Sequence, residues 1–479
     1  MYEPVIGLEI HAQLLTDTKI FCGCRTRFAD PPNTNVCSVC VGLPGALPVL
    51  NRGAVELAVR AALSLGCRVN EQSEFARKNY FYPDLPKGYQ ISQYDHPLAS
   101  SGSVQLDGSG APVHVGITRV HMEEDAGKSL HEGVHEAAQK TSVDFNRSGV
   151  PLIEIVTEPD LRSAADAAAF FETLRDLLVW LGVNDGNMEE GSLRCDANVS
   201  VRSDGTATLG TKVEVKNLNS FRYLQKALEH EIARQIEMLS DGGRVVQETR
   251  LWDQDAGRTV VMRSKEEAHD YRYFPEPDLP PVALDADRVA AIARSIPELP
   301  GARRARFVAE YALAGSEAGE LTRFRALADY FEETARRSGN AKAASNWIMG
   351  ELSRRLNDRG LPIARAGVTP EALAGLIRAV DNGTINNTTA KAVFEKMYGT
   401  GRSADEIVAS DGLGQISDES ALVGIIRDVI AAQRDTVAQY RGGKAASFGF
   451  LVGQVMKASG GKASPKLASE LLRREIERG

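Results

Sequence analysis

No run of 18 apolar residues occurs among the 479, so the sequence offers no transmembrane helix. The opening stretch, Met1 to His11, lacks a basic segment followed by an apolar core. No secretory leader is read there, and a cytoplasmic setting is expected. Cysteine is scarce: there are six, four of them within 19 residues. In a large chain expected inside the cell, such a cluster argues against a disulfide framework and for a metal site. Excess positive charge is also lacking. The net charge is −8, so any nucleic acid would have to be held by local patches. No Gly-x-x-x-x-Gly-Lys-Ser/Thr loop and no Gly-x-Gly-x-x-Gly occurs, so a nucleotide would be bound through metal and basic side chains. Internal repeats and low-complexity tracts are missing too.

What remains is an ordinary globular composition, 43% apolar and 25% charged, with room for two to four domains. Residues 1 to about 290 carry short alternating segments, turns and aromatic loops. Two helices interrupt them. One is expected from about Ser163 to Leu181, with Ser163 as N-cap, Asp166 in the capping position and Gly182 as the stop. The other is expected from about Ser220 to Ser240, with Ser220 as N-cap and Gly242–Gly243 after its end. A connector rich in proline (Pro275, Pro277, Pro280, Pro281, Pro297, Pro300) leads into a chain of helical spacing. Breaks fall near Gly360–Pro370, Asn382–Thr388 and Gly399–Ser403. The division read from this is 1–292, 293–400 and 401–479.

Three segments alternate strictly between apolar and polar residues. Ile6, Leu8, Ile10 and Ala12 oppose Glu9, His11 and Gln13. Leu193, Cys195, Ala197, Val199 and Val201 oppose Arg194, Asp196 and Asn198; Val213 and Val215 oppose Lys212, Glu214 and Lys216. Such faces are either the solvated side of a half-exposed sheet or the concave side of an open antiparallel sheet that holds a site. His121-Met122-Glu123-Glu124-Asp125 ends another strand in three carboxylates, and Glu154 sits alone in the apolar Pro151–Val156. An unpaired carboxylate there is costly, so a metal or lysine partner is expected. Carboxylates with an imidazole suit Mg²⁺ or Mn²⁺ better than zinc.

Longer strings narrow the reading. They include Gly7-Leu8-Glu9-Ile10-His11, Arg77-Lys78-Asn79-Tyr80-Phe81-Tyr82-Pro83-Asp84, Tyr89-Gln90-Ile91-Ser92-Gln93 and His121 through Lys128. Glu189 through Asn198, Lys216-Asn217-Leu218-Asn219-Ser220-Phe221, Asp270 through Asp278 and Gly449 through Lys457 continue the series. Together they resemble the family of B subunits of the bacterial aspartyl/glutamyl-tRNA amidotransferase, over essentially the whole chain.

That resemblance implies an α+β fold: an N-terminal antiparallel-sheet cradle of glutamine-synthetase type, then all-α helical and tail domains. It implies a C–N ligase with glutamine as amide donor. The side-chain carboxylate of Glu-tRNA(Gln) or Asp-tRNA(Asn) is phosphorylated by ATP and then amidated to give Gln-tRNA(Gln) or Asn-tRNA(Asn). Ammonia comes from a glutaminase A subunit, and a small C subunit completes a heterotrimer. The A subunit's Gly/Ser-rich nucleophile segment is not found in this sequence. Carried over residue by residue, the resemblance implies Glu9, His11, Glu124 and Glu154 as Mg²⁺ ligands. Lys78, Arg194, Lys212 and Lys216 neutralise the phosphate and carboxylate charge, with Glu9, His11, Lys78 and Arg194 at the nucleotide. Asp196 is a further metal or ammonia-path residue, and Lys78, His121, Glu123 and Asp125 line the ammonia path. The archaeal relative specialised for Glu-tRNA is a further enzyme option, but that family carries an extra inserted domain for which 479 residues leave little room. Two other readings compete: a glutamine-synthetase-like ligase with another carboxylate, and a non-catalytic tRNA scaffold. The basic tail counts against the first, and the joint presence of Glu9, His11, Glu124 and Glu154 against the second.

Cys22-x-Cys24 and Cys37-x-x-Cys40 are expected to form a structural four-thiolate zinc site with no open coordination position. Cys67 and Cys195 are expected in the core. From Thr436 to Gly479, eight Lys/Arg face three Glu, a net +5. Lys444, Lys457, Lys462 and Lys466 are expected to contact tRNA, with Gly442-Gly443 and Gly460-Gly461 letting the main chain approach phosphates.

Overall fold

A computed structural model of the chain describes residues 2–106, 112–130, 140–264, 271–414, 419–460 and 462–478; Asp270 and Gly461, noted above, lie outside them. The chain divides into two compact units, Met1–Leu299 and Pro300–Gly479.

The first unit is built on a nine-stranded sheet. Its order across the sheet is Arg258–Ser264, Glu248–Asp253, Val213–Lys216, Leu193–Ser203, Tyr2–Gln13, Pro151–Thr157, Val113–Glu124, Ala99–Leu106 and Arg68–Val69. The N-terminal strand sits at the centre because it is apolar on the face that helices cover. Ile6, Leu8, Ile10 and Ala12 join Ala58, Phe170, Phe171 and Leu224 in one core. Those last four come from helices Arg52–Ser64, Ala164–Trp180 and Phe221–Ser240, which cover that face and leave the other to polar residues.

Both expected N-caps are present. Ser163 Oγ accepts from Asp166 N at 3.0 Å and Ser220 Oγ from Tyr223 N at 3.1 Å. Gly182 and Gly242 follow the helix ends at φ 66° and 78°, where a side chain would be strained. The sheet is not uniformly antiparallel. Val213–Lys216 and Glu248–Asp253 run parallel, since the 20-residue helix Phe221–Ser240 between them carries the chain back across the sheet.

The second unit is helical. Helix Ser353–Arg359 stops at Gly360, Thr369 caps Pro370–Asp381, and Asn386 caps Asn387–Thr400. Ser403 and Glu406 form a capping box on Ala404–Ser410. One π-turn, Ile348–Leu352, lies between Ala341–Trp347 and Ser353–Arg359. The basic tail encloses its own small core of Leu422, Ile426, Leu451, Val455, Leu471 and Leu472. Helix Ala446–Ala458 runs through Gly449 and Gly453, while Gly442, Gly443 and Gly460 stand in turns. No helix among the described residues is long and apolar enough to cross a membrane.

Candidate active site

The uncovered face of the sheet floors a cavity of about 850 Å³. Register explains how its groups meet. His11 is paired with Arg194 on one side and Glu154 on the other, and Glu154 with His121 beyond. Side chains at paired positions share a face. Four strands therefore set Arg194, His11, Glu154 and His121 in one row, and the next row pairs Asp196 with Glu9.

At the centre His11 Nε2 lies 3.3 Å from Glu154 Oε2 and 3.8 Å from Glu123 Oε1. His121 Nε2 is 3.6 Å from Glu154 Oε2 and 3.9 Å from Glu123 Oε2. His11, Glu123 and Glu154 each present a ligand atom within 4.8 Å of the others'. An imidazole and two carboxylates at that spacing fit a hard divalent cation. The expectation that Glu154 needs a partner holds, though among the described residues its neighbours are imidazoles and, at 4.0 Å, Arg119 Nη2.

Burial disfavours charge throughout this cluster, and the neighbours decide which groups keep it. Burial opposes protonation of His11, but its hydrogen bond to Glu154 and the charges of Glu154 and Glu123 raise its pKa overall. Burial pushes His121 down to about 4, so it is neutral at pH 7. Glu123 is raised by burial and by Glu154 beside it; Glu154 is held low, despite burial, by His121, His11 and Lys78. Lys78 is itself buried, yet Tyr273, Glu123, Glu154 and Tyr80 raise its pKa and keep it an ammonium. Its Nζ stands 4.9 Å from the Tyr271 ring.

A second cavity of about 470 Å³ shares His11, Lys78, Glu123, Asp196 and Lys216 with the first and adds Asp125, Arg194 and Asn217. Asp125 is locked there: Gln13 Nε2 donates to it at 2.7 Å and Arg194 Nη2 at 3.0 Å. Lys216 bridges Asp196 and, at 3.2 Å, Glu214. Asn198 Nδ2 donates to Glu9 Oε1 at 2.8 Å.

Of the residues singled out from sequence, Glu9, His11, Lys78, Glu154, Asp196 and Lys216 line the first cavity and Arg194 the second. Two lie apart. Lys212 is exposed in the loop before Val213 and borders a separate 250 Å³ cavity, whose walls include Glu9. Glu124 does not share the face of His11 and Glu154. It forms a buried ion pair with Lys87, and Ile91 N donates to it at 2.8 Å. Glu123 takes the position beside His11, because side chains alternate along Val113–Glu124 and His121 already faces the cavity. That phase was readable: His121 and Glu123 are two apart, and Glu124 is two residues after the core-facing Met122. Nothing in the sequence pointed to Lys87 as the partner of Glu124.

The four clustered cysteines also converge. Sγ separations are 3.6 Å for Cys22–Cys40 and 3.8 Å for Cys37–Cys40, and all four sulfurs lie within 4.8 Å of one another. These exceed any disulfide and match the roughly 3.8 Å edge of a tetrahedron with Zn–S near 2.3 Å. Lys19, fully buried, donates to Cys40 Sγ at 3.4 Å, as suits a thiolate-rich centre. Cys67 and Cys195 are core residues.

Comparison with known proteins adds an independent line. The family described as the GatB/GatE catalytic domain matches residues 4–290, and the GatB domain matches residues 329–476. The B subunit of the aspartyl/glutamyl-tRNA(Asn/Gln) amidotransferase of Trichlorobacter lovleyi is 53% identical over 475 residues, 99% of each chain. Its counterpart from Carboxydothermus hydrogenoformans is 52% identical over 475 residues, again 99% of each. That of Caldicellulosiruptor saccharolyticus is 53% identical over 480 residues, 100% of this chain and 99% of its own.

Proposed function

Because this chain belongs to the family of aspartyl/glutamyl-tRNA(Asn/Gln) amidotransferase B subunits, we propose that the cavity over His11, Glu123 and Glu154 is where the substrate carboxylate is activated. The protein is the B subunit of a tRNA-dependent amidotransferase, a glutamine-dependent C–N ligase. The carboxylate of Glu-tRNA(Gln) or Asp-tRNA(Asn) attacks the γ-phosphorus of ATP and ADP leaves. Ammonia then attacks the acyl carbon of the mixed anhydride, phosphate leaves, and a proton is lost to give the amide.

The observation that carries this reading is the convergence of one imidazole and two buried carboxylates in a cavity that Lys78 also lines. A carboxylate approaching a polyphosphate needs cations on both sides. His11, Glu123 and Glu154 would hold Mg²⁺, with Glu9 alongside, and its positive charge would offset the negative charge of the reacting groups. Lys78 supplies fixed positive charge over the same floor, and Arg194 and Lys216 supply it at the edge shared with the second cavity. That cavity, with Asp125, His121 and Glu123 at or near it, is the proposed entry for ammonia from a glutaminase A subunit. Glu124 and Lys212 take structural or peripheral roles in this scheme. The sheet would serve as a cradle of glutamine-synthetase type, followed by helical and tail domains. The tail, through Lys444, Lys457, Lys462 and Lys466, would hold tRNA(Gln) or tRNA(Asn). A small C subunit, structural zinc on the four cysteines and a cytoplasmic setting complete the proposal.

The test uses the assembled complex with mischarged tRNA and ATP. Glu123→Gln should abolish carboxylate-dependent ADP release while tRNA binding is retained. Full ADP release by that variant would overturn the assignment.

A further inference from the structure

The mouth of the larger cavity carries aromatic side chains that the chemistry above leaves unused. Phe81 is 79% exposed and Tyr82 52%, both on the turn between strands Ala76–Asn79 and Tyr89–Ser92. Leu85, in the same turn, is 4% exposed, so the turn has a core and still leaves its phenyl ring out. The ring is nonetheless seated. A Cβ on Gly88 would come within 3.3 Å of Phe81 Cε1, so an edge of the ring rests on that glycine.

The Arg272 guanidinium carbon lies 6.0 Å from the ring centroid. Arg272 is held at φ 46°, a left-handed conformation that costs a non-glycine residue energy. Asn79 fixes it there by donating to Arg272 O at 2.9 Å and Tyr271 O at 3.3 Å. Strain maintained by a dedicated hydrogen bond at a cavity mouth marks a position with a task. Behind this pair the tyrosines interlock. Tyr80 meets Tyr82 and Tyr271 edge-on at 6.2 Å, and Tyr94 stacks on Tyr273 at 4.2 Å.

Resting on the function proposed above, the substrate imposes a geometric demand. Its carboxylate must reach the floor while its amino acid stays esterified to the terminal ribose of an unpaired RNA end. Only a few single bonds separate the two, so the terminal base must lie at the mouth. Unpaired bases are held by stacking on aromatic rings and on guanidinium planes. We propose that Phe81 and Arg272, flanked by Tyr82, form a stacking clamp for the terminal base of the aminoacyl-tRNA. The clamp recognises the nucleotide end rather than the amino acid, so it serves Glu- and Asp-charged tRNA alike.

The test is a cycle between protein and RNA in the full complex. Uncharged tRNA, intact or lacking its terminal nucleotide, competes with mischarged tRNA. In the parent complex, truncation should weaken inhibition; base stacking of this kind is worth roughly 5- to 140-fold. In Phe81→Ala, intact tRNA should bind no better than truncated tRNA, whereas truncated tRNA should bind as before; Phe81→Trp should restore the difference. Arg272→Gly, whose new residue accepts the same φ without strain, should reduce it. A terminal 2-aminopurine should be quenched in the parent and bright in Phe81→Ala. The clamp is overturned if Phe81→Ala weakens intact and truncated tRNA equally, or leaves both unchanged. It is also overturned if the variant makes the complex fall apart on gel filtration, because the ring would then be a contact between subunits. Failure of the underlying reading looks different: the parent complex itself would not amidate mischarged tRNA.

Discussion

Adjacent glutamates on one strand carry opposite obligations. Glu123 faces the cavity and sits beside Glu154, so burial and a like charge both work against its ionisation. Glu124 faces the interior and compensates Lys87, whose side chain is only 7% exposed. Their amide variants should therefore separate activity from stability. Glu123→Gln removes a strained charge while keeping the shape, so denaturant unfolding should show a midpoint unchanged or raised. Glu124→Gln strands a buried ammonium and should cost about 3–5 kcal/mol in the same measurement. Equal unfolding midpoints for the two variants would contradict this division. At this scale the sequence was legible wherever alternation could be phased. His11 and Arg194 fell on the expected polar faces by period two, whereas Glu154 stood in an all-apolar segment with no alternation to phase, and Glu124 came into the ligand set with the family resemblance. The pairing with Lys87 depends on a contact across 37 residues that no local pattern encodes.

Helix Phe221–Ser240 owes its seating to a charged group as well as to its apolar stripe. Glu231 is fully buried on it, bound by Arg234 and Gln235 of the same helix and by Thr259 of the edge strand. Burial alone would raise the Glu231 pKa, but the Arg234 hydrogen bond, with Gln235 and Thr259, lowers it below the usual value. A depressed folded-state pKa stabilises at pH above the unfolded value, near 4.3, and that contribution is lost as pH falls through the folded pKa. Glu231→Gln should thus cost about 1.5–3 kcal/mol at pH 7, and the gap between variant and parent should narrow below about pH 4 in urea melts. A constant gap from pH 7 to pH 3 would refute it. The caps of this helix and of Ala164–Trp180 were readable because Ser at N-cap and Gly after the end act locally. The parallel pairing of the strands flanking it was not, since that follows from where a long crossover lands. Cysteine spacing, by contrast, anticipated a contact between two loop segments. If the four thiolates hold zinc, metal analysis should find one zinc per chain. Chelation should then expose the segment around residues 22–40 to protease, because such a site is worth on the order of 10 kcal/mol to its local fold. The sheet residues of the cavity are not zinc ligands, so amidation should decline only as that segment loosens.

For the whole molecule, a chain of net charge −8 must bring a polyanion to an acidic cavity. Bulk attraction cannot do that, and the tail's local charge is the available device. Its described ion pairs engage Arg427, Arg474 and Arg478 with Glu475 and Glu419, and none of them involves Lys444, Lys457, Lys462 or Lys466. Four lysines outside those pairs can each displace a counterion from a phosphate. Replacing all four by glutamine should flatten the dependence of log affinity for tRNA on log salt by about 3, given a slope near 0.7–0.9 per contact. KM for mischarged tRNA should rise while kcat holds, because the lost contacts act equally on ground and transition states. A salt dependence identical to the parent's would mean that these lysines face solvent and that tRNA is held elsewhere. The contrast with the cavity mouth is then quantitative: stacking on Phe81 is insensitive to salt and confined to one nucleotide, whereas the tail's contribution is salt-dependent and indifferent to the terminal base. Measuring the parent, the tail variant and Phe81→Ala at two salt concentrations would assign each part of the affinity to its own end of the tRNA.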